Sequence, residues 1–337
     1  MQDMETTNLL SEKKITVLIV AWNRREFLSR AVQSILDQNI DINLVEIIIV
    51  KNFSDKNLDH LIEEKGIVSI ILDKENNLGM MLARGIEMSR GEIICFLDDD
   101  DAFFPNKLSY ILELFKTTGI IYYHNSYMRL SDLGNTRRSI LYRKKPLSKP
   151  FHGNFHSNED VTFAIKSNSI TNLSSVSVKR NALIKNLDDL RGINGATDYM
   201  MFYISMKFGG SFILDNKVFS IYYIHNSSMR PEGDYSLYRK GLSELASNQI
   251  YVHEFGSIIF RCLGDYSLLS GLINQWKIIK AISEDLNNKI IYKNLVGFSR
   301  AFIKIRPRYV FVLSIIFFLN IYSNYFTLKA IRFFQRW

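Results

Sequence analysis

The sequence predicts an α/β protein built on a doubly wound, mostly parallel sheet. Short continuous apolar runs of strand length alternate with amphipathic stretches at helical spacing through the first 125 residues. Hydrophobic residues make up 47% of the 337 residues and charged residues 23%, a globular mixture that excludes a disordered, collagenous or low-complexity chain. Only 17 Gly and 5 Pro occur, which favours long regular elements over turn-dense sandwiches.

Ile15 to Ala21 (ITVLIVA) is apolar but for Thr16, the near-continuous run expected of a strand covered on both faces. From Glu26 to Leu36, apolar residues from Phe27 to Leu36 recur at helical spacing. Val45 to Val50 is a second strand, Asp55 to Glu64 a helix and Ile67 to Leu72 a third strand. Leu78 to Met88 is helical, and Glu92 to Leu97 is a fourth strand. Pro105 opens a helix to Lys116 from the first helical position, where its missing N–H costs nothing. Ile120 to Tyr123 starts a further strand. Repeated strand–helix units demand a wound sheet, whose ligands bind beyond the carboxyl ends of the strands. Beyond this the pattern loosens. Asp132 to Asp160 is polar and loop-like, while Val161 to Ile165 and Asn172 to Lys179 read as strands. Thr197 to Lys207 reads as a helix, Phe212 to Tyr223 as a long strand and Tyr235 to Lys304 as helical.

The net charge of +8 is concentrated at one end. Leu286 to Trp337 holds nine Lys and Arg and no Asp or Glu, so the rest of the chain is close to neutral. Nucleic acid is therefore not expected as a partner. The same tail is apolar: Tyr309 to Leu328 reads YVFVLSIIFFLNIYSNYFTL, interrupted by Asn320, Ser323, Asn324 and Thr327. Basic residues flank both ends. A helix over about 307–334 lying on a membrane surface explains this composition better than a spanning one. A buried helix of a helical subdomain is the competing explanation. The opening MQDMETTNLLSEKK has no apolar run of signal-peptide length, which points to the cytoplasmic face of the membrane. Cys95 and Cys262 read as lone buried thiols.

The sharpest feature is Asp98-Asp99-Asp100-Asp101, directly after the fourth strand. Four adjacent carboxylates repel one another, and a divalent cation at a ligand cleft would offset that repulsion. Oxygen ligands suit Mg²⁺ or Mn²⁺ bridging to substrate phosphates. The competing reading is a solvated acidic turn before the helix that follows. His152 and His156 have a zinc-ligand spacing, but no second Cys or His pair accompanies them, and zinc is not expected.

The ordered set ITVLIVAWNRREFL, Asn77-Leu-Gly, Ala83-Arg84-Gly85 and Arg90-Gly91-Glu92-Ile-Ile-Cys-Phe-Leu followed by the four acids resembles the family-2 glycosyltransferases of the GT-A fold. The resemblance runs from about Ile15 to His225. It implies a nucleotide-diphospho-sugar transferase with a doubly wound mixed sheet, carrying here a C-terminal helical, membrane-associating extension. It implies a polar tail over 1–13 and a catalytic domain over 14–230. The nucleotide-binding half would span about 14–125, the acceptor half about 126–230, and the extension 231–337. Donor binding would fall to Ala21, Trp22, Asn23, Arg24, Asn52, Asn77, Gly79, Arg84, Asp98 and Asp99. Trp22 stands where the family has Tyr, and Lys51-Asn52-Phe53-Ser54 replaces its Asp-Asp-Gly-Ser, leaving both UDP- and GDP-sugars open as donors. Asp100, with Asp99 or Asp101, and His225 would hold the cation. Asp198, in Ala196-Thr197-Asp198-Tyr199, would be the general base of an inverting transfer, with Glu159-Asp160 as the runner-up. A helix-capping acid at Asp198 is the competing reading. The acceptor would be a glycan hydroxyl, a lipid-linked glycan or a polyprenyl phosphate, the last served by Arg137, Arg138, Arg143, Lys144 and Lys145. A nucleotidyltransferase is the rival enzyme, although Ala21-Trp22-Asn23-Arg24 lacks the glycine-rich loop it needs. A membrane-docked scaffold is the non-enzymatic rival.

Overall fold

The computed structural model describes residues 13–71, 77–131, 140–143, 147–225, 235–261 and 267–284. The first half runs β1 (Ile15–Ala21), α1 (Leu28–Leu36), β2 (Val45–Lys51), α2 (Lys56–Glu64), β3 (Val68–Ile71), α3 (Leu78–Met88) and β4 (Ile93–Asp98). A two-residue β5 (Ala102–Phe103), α4 (Lys107–Thr118) and β6 (Tyr122–Ser131) follow. Next come β7 (Ile140–Arg143), β8 (Phe151–Asn154), α5 (Asn158–Lys166), β9 (Val176–Lys179), α6 (Arg180–Ile184) and α7 (Leu187–Arg191). The described residues close with α8 (Thr197–Phe208), β10 (Ser211–Ile224), α9 (Tyr235–Arg261) and α10 (Ser267–Ser283).

The strands form one sheet in the order β3-β2-β1-β4-β9-β6-β10-β5, with β7 on β6 and β8 on β10. β3, β2, β1 and β4 are parallel. β9 is antiparallel to both β4 and β6, which makes the sheet mixed instead of mostly parallel. Successive residues of β1 feed opposite faces, as the pleat requires. Leu18 and Val20 join the core under α3 and α8, whereas Ile15, Val17, Ile19 and Ala21 join the one under α1 and α4. Burial on both faces explains why the run carries no polar alternation.

Three expectations are corrected. Val161 to Ile165 belongs to α5 and is not a strand. Ser157 caps that helix by accepting the Asp160 N–H, and Val161, Ala164 and Ile165 are buried at helical spacing. Pro105 lies outside α4, whose N-cap is Asn106. The polar stretch 132–160 contains β7, β8 and the start of α5. The basic apolar segment over 307–334 and the loop residues Arg137, Arg138, Lys144 and Lys145 lie outside the described residues, as does Cys262. Among the described residues no helix is long and apolar enough to cross a membrane.

α9 packs on α8 and on α10. At the first of these contacts His253 is buried, with Nδ1 2.9 Å from the Tyr203 hydroxyl and its ring 4.8 Å from that of Tyr199. Burial pulls the imidazole from its ordinary 6.5 down to about 3. The unfolded chain therefore takes up a proton below pH 6.5 that the folded chain refuses until near pH 3, so stability falls on acidification. The expected loss by pH 5 is about 2 kcal/mol, at about 1.4 kcal/mol per pH unit. Urea unfolding at pH 7 and pH 5 checks this. A pH-dependent loss of the same size in His253→Gln would assign the effect elsewhere.

Candidate active site

Three strand ends meet at one edge of the sheet. Ala21 pairs with Lys51, and Val20 pairs with Asp98. The turns after β1, β2 and β4 thus share the carboxyl edge that wound sheets use for ligands. Asn23 holds a left-handed φ of 56°, which asparagine tolerates better than most residues. Its N–H donates to Asn52 Oδ1 at 2.9 Å, tying the first turn to the second. Trp22 is partly buried against the core. Lys51, in place of an acid, is fully buried and ion-paired with Asp59 of α2.

The four acids take different partners. Arg24 places one guanidinium nitrogen on Asp100 Oδ2 and the other on Asp99 Oδ1. His225 Nε2 lies 2.9 Å from Asp100 Oδ2, its ring 4.2 Å from Phe27. Arg30 donates to the Asp100 backbone carbonyl at 2.8 Å, with its guanidinium 3.6 Å over the Tyr223 ring. Asp101 faces inward: its Oδ2 accepts from the Ser174 hydroxyl at 2.6 Å and its Oδ1 from the Tyr223 N–H at 3.2 Å. Ser174 Oγ also accepts the Asp98 N–H. Behind this, Lys107 is completely buried, donating to the Ser174 carbonyl at 2.6 Å and to Ser220 Oγ at 3.1 Å. Asp101 is therefore a strap between β4, β10 and the turn at Ser174, not a free ligand beside Asp100.

Electrostatics follow from this crowding. Desolvation, helped by the Asp100 charge, pushes Asp98 up to about 7. Asp99 is pushed up to about 8 by burial, against the pull of Arg24. Burial and the charges of Asp100 and Asp98 raise Asp101 well above the carboxylate range. Burial would raise Asp100 too, but the hydrogen bond from His225 and the Arg24 charge outweigh it and hold it low. Burial brings Lys107 down to about 7. Asp100 is thus the fixed negative charge of the cluster, and the others respond to it.

Asp198 stands in the first turn of α8 and its charge acts on Asp98. The Asn172 N–H donates to its Oδ2 and the Tyr199 N–H to its Oδ1, each at 2.9 Å. The residues framing it, Asn172 (φ 85°) and Ala196 (φ 55°), are both in the left-handed region. That conformation costs alanine about 1 kcal/mol or more, and such outliers cluster where a site constrains the backbone. Asp160, the alternative base, accepts the Asn154 N–H at 2.9 Å within its own capping turn.

Three expected donor-binding residues take structural positions. Asn77 caps α3 by accepting the Met80 N–H. Gly79 lies against the segment before α8: its N–H donates to the Ile193 carbonyl at 2.9 Å, and a Cβ there would stand 1.9 Å from the Leu190 carbonyl oxygen. Arg84 is half-exposed on α3, paired with Glu87 at 3.5 Å and with none of the four acids. Sequence reasoning missed Arg30, Lys107 and Asn172. An amphipathic helix gives neither the partly buried Arg30 nor the fully buried Lys107 a signal that marks it, and Asn172 acts through its backbone.

The cluster fits a cation that keeps most of its shell for substrate and water. Asp99 Oδ2 is buried with no hydrogen-bond partner, and Asp100 and His225 already stand side by side. Among the described residues no three His, Cys, Asp or Glu side chains make a complete metal cage. Mg²⁺ is ordinarily held by one or two carboxylates plus phosphate oxygens, so a cage is not required.

The family model for glycosyl transferase family 2 matches residues 16–178. An uncharacterized glycosyltransferase of Rickettsia bellii (strain RML369-C) is 33% identical over 135 residues, 39% of this chain and 19% of that protein. One from Nostoc sp. (strain PCC 7120) is 32% identical over 113 residues, 32% of this chain and 34% of that protein. The poly(ribitol-phosphate) beta-N-acetylglucosaminyltransferase TarP of Staphylococcus aureus (strain N315) is 33% identical over 94 residues, 26% of this chain and 29% of TarP. The chain therefore spans about a third or less of each of these relatives. Among solved structures, S. aureus TarS 1–349 in complex with UDP superimposes with a TM-score of 0.53 at 12% identity, over 85% of this chain and 91% of that one. The complex of TarS 1–349 with UDP-GlcNAc gives 0.53 at 11% identity, over 88% and 91%. At that identity the likeness is one of fold.

Proposed function

Since the chain belongs to the family 2 glycosyltransferases through its residues 16–178, we propose that it moves a sugar from a nucleotide-sugar donor to an acceptor hydroxyl. The observation that carries this reading is the meeting of Arg24, Asp98, Asp99, Asp100 and His225 at one sheet edge, with Asp198 close enough to act on Asp98. The first two strand turns, tied through Asn23 and Asn52, would seat the nucleoside. Asp98 would orient its ribose. TarS binds UDP and UDP-GlcNAc, and TarP is named for N-acetylglucosaminyl transfer; both favour a UDP-sugar over a GDP-sugar here.

Asp100 and His225 would hold Mg²⁺ or Mn²⁺. Once bound, that ion stabilises the charge developing on the leaving diphosphate. Arg24 neutralises Asp99 and Asp100 in the free protein, and its guanidinium is placed to pass to a diphosphate oxygen. Asp198, its carboxylate aimed by two backbone N–H groups, would take the acceptor hydroxyl's proton as that oxygen attacks the anomeric carbon, inverting it. The basic, apolar stretch over about 307–334 would bring this chemistry to a membrane surface, where a lipid-linked glycan is the expected acceptor.

The test pairs binding with turnover. Asp198→Asn is expected to slow transfer by about 10²–10⁴-fold, the span of general-base contributions. The thermal shift given by a UDP-sugar with Mn²⁺ should persist in that variant. Wild-type turnover in Asp198→Asn, or the absence of a metal-dependent shift with every nucleotide sugar tried, would overturn the assignment.

A further inference from the structure

Strands β6 and β10 carry side chains near Asp198 that the mechanism above does not use. Tyr127 and Arg129 lie two apart on one face of β6, and Tyr222 of β10 is in register with Arg129. The Tyr127 and Tyr222 ring centroids are 6.1 Å apart, and the Arg129 guanidinium carbon stands 5.6 Å from the Tyr222 ring centre. All three residues are partly exposed. Tyr127 hydrogen-bonds Thr171, and the charges of Asp198 and Asp101 both reach its phenol. The next residue, Asn172, gives its N–H to Asp198. Tyr127 therefore stands near the proposed base, with Tyr222 beside it.

Arg24, Arg25, Arg84, Arg90 and Arg191 each meet a carboxylate, Arg30 bonds the Asp100 backbone carbonyl while lying over Tyr223, and Arg180 bonds Ser89 Oγ; among the described residues Arg129 meets no carboxylate and lies over the Tyr222 ring. A guanidinium aligned on a tyrosine has lost part of its side-chain freedom before any ligand arrives. Its planar fork matches the oxygens of a phosphate or carboxylate. A neutral acceptor would leave that fork unused.

We propose that Tyr127, Tyr222 and Arg129 form an acceptor subsite for an anionic sugar or polyol, with the two rings taking its carbon skeleton and Arg129 its phosphate or carboxylate. This deepens the glycosyl-transfer reading and rests on it for the role of Asp198. Binding of acceptor probes, however, is measured without donor or metal.

The experiment titrates the full chain calorimetrically with glucose, glucose 6-phosphate and glucuronate. At least one charged probe is expected to bind about tenfold or more tighter than glucose, the effect of one charge-assisted hydrogen bond. Which of the two wins identifies the anion. Arg129→Met should bring all three probes to parity, Arg129→Lys should keep part of the preference, and Tyr222→Ala should weaken every probe alike. Circular dichroism confirms folding, with Arg129→Gln in reserve if the Met variant fails to fold. Equal binding of the three probes by the wild type overturns the subsite, and so does a charged preference that survives in a folded Arg129→Met or Arg129→Gln chain. Failure to transfer sugar from any donor would instead overturn the glycosyl-transfer reading and leave the titration result standing.

Discussion

Asp100→Asn is expected to lower transfer by about 10³-fold or more while leaving the unfolding transition within about 1 kcal/mol of wild type. The substitution keeps the shape of the side chain and an oxygen that Arg24 and His225 can still meet. It removes the charge. Among the four acids Asp100 alone is held below the ordinary carboxylate range, so it is the anion that the proposed divalent cation would find already formed. The fold does not suffer, because Asp98, Asp99 and Asp101 are each raised in part by the Asp100 charge and are relieved when it goes. Transfer rate with saturating donor and Mn²⁺, set beside a urea melt, separates the two effects. Undiminished turnover of the variant in EDTA would rule out a metal on this carboxylate.

The largest structural effect is expected at Gly79. Gly79→Ala places a methyl 1.9 Å from the Leu190 carbonyl oxygen and 2.7 Å from that of Ile193. Both are backbone atoms and cannot step aside as a side-chain end would, so the expected cost is about 3 kcal/mol, the upper part of the overpacking range. Relief must come from moving the 190–194 segment. Leu78 N–H bonds Asn194 Oδ1, and the Asn194 carbonyl accepts from Asn248 of α9. That segment leads directly into left-handed Ala196 and Asp198. Turnover is therefore expected to fall together with stability, and kcat should fall more than donor affinity. A variant with a wild-type urea midpoint would show that the close approach is not rigid.

How far the sequence announced this site depends on the kind of signal. The parallel strands were legible because a strand buried on both faces is a continuous apolar run, and Ile15–Ala21 is one. The acids were legible because four carboxylates in a row have no cheap explanation in a core. Their division of labour was not legible. Nothing in the letters Asp98 to Asp101 says that Asp101 turns inward to Ser174, a partner 73 residues away. The helix over Val161–Ile165 was masked by its β-branched and aromatic content, and its cap at Ser157 decided the outcome. The N-cap made by Asn77 and the close approach at Gly79 are features that only the tertiary structure reveals. Arg129 and Tyr222 come from strands far apart in sequence and share a face only through register.

The antiparallel β9 also shapes how the molecule is made. It fills the gap between β4 and β6, so Ile93 waits for Lys179 before its second neighbour exists. During ribosomal synthesis the first four parallel strands can pair early, yet the strand carrying the acids keeps one ragged flank until some 85 further residues have emerged. Nascent chains halted before that point would expose this flank to aberrant pairing. The acid-bearing edge of the sheet is in this sense completed only once the middle of the chain has been made.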